Sequence, residues 1–335
     1  MPRVLEPLAG KLALKNRLVM PPMATSKANP DGSVSPALLE YYDEKSRGGA
    51  LGLVITEHCY ITQQGKNRAG QPSVADDGMI EGLSGLAATF HGNGSKAVMQ
   101  INHSGAASDP AATGLEVVSA SAVQIPGRPN ETPRALTHAE IDAIVGEFAA
   151  AARRVKAAGF DGVEIHAAHG YLLNQFFSPL TNARTDAYGG EVGGRIRLHL
   201  EVIAAVREAV GEEFPLLLRL GACDYMEGGS SIEDSVIAAA EFERAGVDVL
   251  DITGGLCGYI RPDHSEPGYF AELSRAIKAV VSIPVILTGG VTEVEDAERL
   301  LEEGAADLVG VGRAMLKDSE WAQKGVASLE EGGRP

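Results

Sequence analysis

The segment Asp161-Gly-Val-Glu-Ile-His-Ala-Ala-His-Gly-Tyr171 joins a strand-like apolar pattern to two imidazoles and a phenol. Val163 and Ile165 form one aliphatic face of a predicted buried strand. Glu164 and His166 lie on the opposite face, where a protein interior tolerates ionisable groups only if they have partners or a ligand. The segment therefore predicts either a pair of structural histidines or a functional site at the end of a strand.

Apolar runs of strand length alternate with helical patterns along the whole chain, which favours a parallel sheet. The predicted strands are Leu18–Met23, Leu51–Glu57, Ala97–Ile101, Gly162–His166, Leu216–Leu220, Val247–Thr253, Pro284–Thr288 and Asp307–Val311. Eight strands close a (β/α)₈ TIM barrel, so we expect one α/β barrel domain over residues 1–335. A doubly wound open sheet is disfavoured because no Gly-x-Gly-x-x-Gly turn follows the first strand.

Three helix starts are predicted from capping residues. Thr137 stands three residues before Glu140, which is the spacing of a capping box, and that helix should end near Gly159. Ser231 and Thr292, each followed three residues later by an acid, predict two further helix starts in the same way.

The composition excludes several classes of partner. The formal charge of −16 argues against nucleic acids and anionic membranes, which bind basic surfaces. The chain has no apolar run of the roughly 18 residues that a membrane helix needs, and its N-terminus has no signal-peptide core. Three scattered cysteines fit a reducing compartment. We expect a cytoplasmic protein that acts on a small-molecule substrate. The protein itself would be either a homo-oligomer or a monomer.

A TIM barrel carries its chemistry at the C-terminal ends of its strands and in the loops that follow them. Gln100, His166 and Arg219 each end a predicted strand. The long segments 102–137 and 167–194 also follow strand ends, so we expect long loops on the C-terminal face to form a substrate pocket.

Two glycine-rich loops follow the last two strands. Thr288-Gly-Gly290 and Gly310-Val-Gly-Arg313 occupy the positions at which TIM barrels commonly bind a phosphate through bare backbone N–H groups. Arg313 would add charge-assisted hydrogen bonds. The alternative is that these glycines only form tight turns.

Six motifs extend this pattern over nearly the whole chain. They are Lys15-Asn-Arg-Leu-Val-Met-Pro-Pro-Met23, Gln100-Ile-Asn-His-Ser-Gly105, His166-Ala-Ala-His-Gly-Tyr-Leu-Leu-Asn-Gln-Phe-Phe-Ser-Pro179, Asn182-Ala-Arg-Thr-Asp-Ala-Tyr-Gly-Gly190, Leu218-Arg219 and Gly312-Arg313. With these motifs the chain resembles the old yellow enzyme family of FMN-dependent oxidoreductases. The resemblance implies an ene-reductase that takes electrons from NADPH or NADH and reduces the activated C=C bonds of enones, enals and nitroalkenes.

The resemblance also implies which residues contact the flavin. They would be Pro22, Met23, Ala24, Gln100, Arg219, Gly289, Gly290, Gly312 and Arg313. Gln100 would hydrogen-bond the pyrimidine part of the ring, and a fixed positive charge on Arg219 would favour the reduced anionic flavin. The two glycine-rich loops and Arg313 would hold the phosphate.

For the substrate, the resemblance implies that His166 and His169 bind a carbonyl or nitro oxygen while hydride passes from flavin N5 to the β-carbon. Tyr171, or water, would protonate the α-carbon. His103 is a further expected substrate contact and the next candidate for the proton donor.

The chain departs from the family pattern at several positions. Ala24 replaces a Cys or Thr that tunes the flavin potential, Ala106 replaces an arginine, and His58 replaces a small residue. The stretch Glu191-Val-Gly-Gly-Arg195 also differs from the usual Ser-Leu-Glu-Asn-Arg. Arg334 would either reach a neighbouring subunit's site or belong to a frayed terminus.

Two other functions remain open at this point. His166 and His169 could bind a metal with Glu57 or Asp251 in a barrel hydrolase or isomerase, although the residues predict no metal site outright. The chain could also be a flavoprotein without catalytic activity.

Overall fold

Eight parallel strands form the centre of the protein in a computed structural model that describes residues 1–128 and 131–332. The barrel strands, numbered β1 to β8, are Leu18–Met20, Leu53–Ile55, Lys96–Asn102, Gly162–Ala167, Leu216–Gly221, Val249–Thr253, Val285–Thr288 and Leu308–Gly310. Each lies within or beside one of the eight predicted apolar runs, so the predicted strands are confirmed.

The strands close into a ring. Consecutive strands pair in parallel from β1 to β8, and β8 returns to β1 through Leu18 and Val309. Pairing of Leu53 with Lys96 joins β2 to β3. This closure confirms the TIM barrel and rules out the open doubly wound sheet, in which two edge strands would stay unpaired.

Helices follow the strands and cover the outside of the barrel. Helices α1 to α8 are Pro36–Ser46, Ile80–Gly92, His138–Ala157, Arg197–Val210, Ile232–Arg244, Ala271–Lys278, Val294–Glu302 and Trp321–Gly332. Shorter helices lie at Arg3–Leu5, Gln63–Gly65, Asp77–Met79, Gly105–Ala107, Pro110–Thr113, Leu172–Phe177, Val192–Arg195 and Arg313–Lys317. Within the described residues, no helix is both long and apolar enough to cross a membrane.

Two of the three predicted helix starts are confirmed. Thr137 with Glu140 and Ser231 with Asp234 both form complete capping boxes. The third is wrong, because α7 begins at Val294 after Glu293, which makes no side-chain cap. Glu293, which directly precedes the helix, has extended backbone angles, so the helix starts one residue later than the predicted cap at Thr292 implies.

Side chains alternate along each strand between the helix layer and the barrel interior. Val163 and Ile165 pack outward into the large core between strands and helices. The lower interior is filled by a separate apolar cluster that includes Val98, Leu217 and Ile286.

An N-terminal turn closes the bottom of the barrel. Leu12 and Leu14 pack into the interior apolar cluster, and Leu8 pairs with Leu14 in an antiparallel bridge. Lys11 forms an ion pair with Asp248, which directly precedes β6 and so marks the N-terminal end of the strands. The barrel is therefore a filled core at this end, and its free volume lies at the C-terminal end.

The long loops on the C-terminal face carry small structures of their own. Strands Val118–Ser119 and Arg134–Ala135 pair after β3, and Cys59–Tyr60 extends the sheet after β2. Helix Leu172–Phe177 lies in the loop after β4. These loops build the wall around the open end of the barrel.

We predict that the interior cluster contributes strongly to stability. Ile286→Ala removes a fully buried side chain from it and should lower the free energy of unfolding by about 2–5 kcal/mol. Ile237→Ala on α5, where the side chain is 51% exposed, is the matched control and should change it by less than about 0.5 kcal/mol. Urea denaturation of both variants measures the difference; equal effects would mean that the interior layer relaxes around the cavity.

Candidate active site

A cavity of about 870 Å³ opens at the C-terminal ends of the barrel strands. Twelve of the thirteen residues predicted from the sequence line it, and they come from six of the eight strand ends or the loops behind them. They are Pro22, Met23, Ala24, Gln100, His166, His169, Tyr171, Arg219, Gly289, Gly290, Gly312 and Arg313. The fold therefore gathers into one site residues that are up to 291 positions apart (313 − 22).

A polar layer forms the floor of the cavity. Arg219 Nε lies 3.1 Å from Asp251 Oδ2, and both side chains are almost completely buried. Gln100 donates from Nε2 to Glu164 Oε1 at 2.7 Å. The side-chain oxygen of Gln100, Oε1, is buried and has no hydrogen-bond partner among the described residues, so the floor offers a free acceptor.

Burial sets the charge of this layer. It raises the pKa of Glu164 well above its usual value, and repulsion from Asp251 adds to that rise. Burial also raises the pKa of Asp251, but the adjacent Arg219 guanidinium opposes it. The Arg219 guanidinium contacts Asp251 directly and favours its ionised form, whereas burial and repulsion from Asp251 favour the neutral form of Glu164.

The histidine motif forms a tight turn after β4. His169 and Gly170 both adopt left-handed backbone angles, with φ of 59° and 72°. This conformation is costly for a residue other than glycine. The turn brings the rings of His169 and Tyr171 to the ring of His166, which lies 5.1 Å from each.

The two histidines of the motif are neutral. Burial lowers the pKa of both His166 and His169 well below the usual value, and the nearby positive charge of Arg219 acts in the same direction. His166 Nδ1 is buried without a hydrogen-bond partner in the described chain, while His169 Nε2 lies 3.0 Å from Thr253 Oγ1. Neutral imidazoles with spare N–H groups can donate hydrogen bonds to a ligand oxygen.

Tyr171 keeps its proton. Burial raises the pKa of its phenol, against the opposing influence of the cations Arg68 and Arg128. A neutral phenol beside two imidazoles can serve as a proton donor.

His58 is part of the site although the sequence assigned it no role. Its Nε2 lies 3.2 Å from the Tyr171 hydroxyl oxygen, and its ring centre lies 5.0 Å from that of Tyr171. Burial lowers the pKa of His58 to about 3. Because His58 follows β2 within three residues, the rule that strand ends carry the chemistry would have found it.

His103, predicted as a substrate contact, lies behind the wall of the cavity. It is fully buried, packs against Gly65 and is not among the residues that line the cavity. Its Nδ1 accepts the backbone N–H of Gly105, so the ring is held in the loop behind the wall.

The two glycine-rich loops lie side by side at one end of the cavity. A Cβ on Gly290, where φ is 75°, would lie 2.7 Å from the Tyr269 ring, so only glycine fits there. Arg313 donates to the Tyr269 hydroxyl at 3.1 Å and forms no ion pair within the described residues. Bare backbone beside a cation without an acidic partner suits an anionic group such as a phosphate.

A metal centre has no support in the described part of the chain, where no group of three or more His, Cys, Asp and Glu could hold an ion. Glu57 accepts hydrogen bonds from the Thr25 N–H and hydroxyl, and Asp251 is paired with Arg219. Neither carboxylate is available to join His166 and His169. Arg334 lies outside the described residues.

A family comparison agrees with this geometry. The sequence model of the NADH:flavin oxidoreductase / NADH oxidase family matches residues 4–331.

Individual relatives cover the chain almost completely. It is 44% identical over 321 residues to an NADH oxidase of Thermoanaerobacter brockii, which covers 94% of this chain and 49% of the relative. It is 38% identical to an NADPH dehydrogenase of Clostridium acetobutylicum, with 92% of this chain and 89% of the relative covered. The chain thus spans about half the length of the first relative and most of the second.

The fold is shared with solved structures. An old yellow enzyme homologue from Zymomonas mobilis superposes with a TM-score of 0.86 at 28% identity, covering 99% of this chain and 94% of that one.

We predict that the buried histidines make stability fall in mild acid. In the unfolded chain a histidine takes up its proton near pH 6.5, whereas burial holds the pKa of His58, His166 and His169 far lower in the folded protein. The contribution of these histidines to the free energy of unfolding is therefore complete above the pKa of the unfolded chain. It is lost progressively as the pH falls below that value. Each group contributes up to about 1.4 kcal/mol per pH unit.

The free energy of unfolding, measured by denaturant at several pH values from neutrality down to about 5, tests this. The double variant His166→Asn/His169→Asn should show a shallower dependence on pH. An unchanged slope would mean that these imidazoles are protonated in the folded protein.

Proposed function

Because the chain belongs to the NADH:flavin oxidoreductase / NADH oxidase family, that of the old yellow enzymes, we propose that it is an FMN-dependent ene-reductase. It takes electrons from NADPH or NADH and reduces C=C bonds activated by a carbonyl or nitro group. We further propose that residues 1–335 form one FMN-binding domain. The observation that carries the proposal is one cavity that combines three features. They are the glycine cradle, formed by the loops at Gly289–Gly290 and Gly312, the floor that holds Arg219, and the cluster of His166, His169 and Tyr171.

FMN is the cofactor of this family, and the residues of the cavity fit it. Gln100 presents a buried acceptor without a partner, which suits a ring N–H. Arg219 supplies a fixed positive charge on the floor, and Arg313 faces the cradle without an acidic partner. Pro22 and Met23 belong to the wall beside them, with Ala24. When bound, FMN supplies the two-electron hydride chemistry that no amino-acid side chain provides.

His166 and His169 would bind the oxygen of the activating group. As neutral N–H donors they stabilise the negative charge that grows on this oxygen as the double bond is reduced. Because burial keeps both imidazoles neutral, the pocket does not have to desolvate two cations before the substrate enters.

Tyr171 would deliver the proton to the α-carbon, with water as its replacement where the substrate leaves room. Its phenol stays protonated near neutral pH. The hydroxyl oxygen lies beside His58 Nε2, and the ring lies beside His166, so the acid and the oxygen-binding group stand on one side of the cavity.

Anaerobic titration of the purified holoprotein tests the proposal and separates it from a flavoprotein without activity. We expect a yellow protein that releases FMN on heating, is bleached by NADPH or NADH, and regains its colour on addition of an enone. Bleaching without reoxidation by any enone, enal or nitroalkene would contradict the ene-reductase. A colourless protein with full activity in a hydrolase assay would favour the metal alternative.

We predict that Arg313 recognises the phosphate of FMN. Arg313→Ala should weaken FMN binding by the apoprotein about tenfold to a hundredfold, the equivalent of one charge-assisted hydrogen bond. Riboflavin lacks the phosphate, so its affinity should change far less. Quenching of flavin fluorescence measures both affinities.

Arg299→Ala is the matched control, because Arg299 lies on α7 and pairs with Glu303 outside the cavity. FMN and riboflavin affinities that fall equally in Arg313→Ala would assign Arg313 a structural role only.

We predict that Tyr171→Phe slows the reoxidation of reduced flavin by an enone, by up to about a hundredfold, while water sets the residual rate. Reduction of the flavin by NADPH or NADH should change little, since that step needs no proton from the phenol. Stopped-flow measurement of the two half-reactions separates the effects.

Tyr225→Phe removes a phenol that bonds to Glu272 away from the cavity, and should leave both rates unchanged. A Tyr171→Phe variant slowed mainly with the nicotinamide would mean that Tyr171 positions the electron donor.

A further inference from the structure

The walls of the cavity carry a positive charge that the rest of the chain does not share. The sequence contains 45 acidic residues against 29 basic ones. Yet the described residues that line the cavity include four arginines and no Asp or Glu. Arg219 is paired with Asp251 in the floor, and Arg313 lies beside the two glycine-rich loops. Arg68 and Arg128 are left without a role in FMN binding or in the chemistry proposed above.

Arg68 has no acceptor for its guanidinium among the described residues. Across residues 1–128 and 131–332, its Nε is buried without a partner and the guanidinium forms no ion pair. In that part of the chain its neighbour at hydrogen-bond distance is His58 Nε2, 3.2 Å from one terminal nitrogen. Whether that nitrogen can accept depends on which nitrogen of His58 carries the proton.

Hydrogen bonds from Gln71 determine which ring nitrogen of neutral His58 carries the proton. The Gln71 carbonyl accepts the Asn67 N–H at 2.6 Å, and its NH₂ donates to the His58 carbonyl at 3.0 Å, so the amide orientation is fixed. The same NH₂ lies 2.7 Å from His58 Nδ1, which must therefore accept. The proton of the neutral imidazole is then on Nε2, where it can bond to the Tyr171 oxygen but cannot serve Arg68.

Arg128 lies against the turn that carries the same phenol. It donates to the His169 carbonyl at 2.7 Å and lies against Gly170, directly before Tyr171. Within the described chain it has no carboxylate partner. Arg68 and Arg128 both influence the Tyr171 phenol electrostatically. Arg68 also acts at longer range on Glu57, whose carboxylate is hydrogen-bonded to Thr25. Among the described residues, neither arginine has a carboxylate at ion-pair distance, so two cations without a direct acidic contact stand beside the proposed proton donor.

We propose that Arg68 and Arg128 form an anion-binding subsite for a carboxylate on the alkene substrate. The inference rests on the proposed function and names its substrate class: activated alkenes that carry a free carboxylate. The phosphates of NADPH or NADH are the other source of negative charge. A ribose separates those phosphates from the reacting ring, whereas Arg68 and Arg128 lie within a side chain's length of Tyr171, so the carboxylate is favoured.

A matched substrate pair tests the subsite: a γ-keto-α,β-unsaturated carboxylic acid and its methyl ester. We expect the wild-type holoenzyme to prefer the acid in kcat/KM by about tenfold to a hundredfold, as one charge-assisted interaction provides. Arg68→Gln and Arg128→Gln should each lower this preference at least about tenfold. Arg68→Lys should restore part of it, and Arg244→Gln, on the exposed face of α5, should keep the wild-type ratio.

Binding gives a second readout that does not depend on turnover. Benzoate and benzamide are titrated against the oxidised holoenzyme, and the shift in flavin absorbance gives each Kd. Benzoate should bind more tightly than benzamide in the wild type, and Arg68→Gln and Arg128→Gln should remove that difference.

Three outcomes would overturn the inference. An acid-to-ester ratio near one in the wild type, with both alkenes reduced, would refute the subsite and leave the proposed function intact. Slower flavin reduction by NADPH or NADH in Arg68→Gln, with the ratio unchanged, would assign the charge to the dinucleotide phosphates. Failure of both alkenes to reoxidise the flavin would overturn the proposed function together with the subsite.

Discussion

The buried ion pair between Arg219 and Asp251 is the interaction on which the site depends. A guanidinium that is 3% exposed is tolerated inside the barrel only because a carboxylate on the neighbouring strand compensates it. Parallel pairing of β5 with β6 sets Arg219 directly opposite Asp251, so ring closure itself brings the charges together. Below this layer the interior is apolar and filled, and above it the barrel is open. The ion pair therefore marks the level in the barrel that separates the packed apolar core from the open cavity.

The turn at His169 and Gly170 sets the positions of the side chains on the loop side of the cavity. One left-handed non-glycine residue reverses the chain within four positions, so His166 from the strand and Tyr171 from the loop face the same space. Gly170 donates its N–H to the Asn174 side chain, and Arg128 holds the His169 carbonyl, so the strained turn has fixed partners on both sides. The rigidity of the oxygen-binding group and the acid thus comes from hydrogen bonds within the loop as well as from the barrel.

The sequence predicted the barrel and most of the cavity, because both follow from short-range patterns. Alternating polar residues at strand ends identified Gln100, His166 and Arg219, since a period of two fixes which side chains point inward. Where the loops are long, no period exists, and Arg68 and Arg128 reach the cavity from segments without such a signal. The position of the His103 ring is set in a similar way, because its Nδ1 accepts the Gly105 N–H and the loop backbone holds the ring behind the wall. The start of α7 was misplaced by one residue because the residue that precedes the helix, Glu293, makes no side-chain cap and so leaves no mark in the capping pattern.

The net negative charge of the chain contrasts with the four arginines that line its cavity. A chain with a net charge of −16 repels anions at long range, so an anionic ligand gains nothing from diffusional steering. Attraction begins only within a few ångströms, where the cavity excludes water and salt no longer screens the arginines. Recognition of an anion is then decided by local geometry inside the cavity. The arginines in its described wall, where no Asp or Glu lies beside them, act on a ligand that has already entered and not on one that is still in solution.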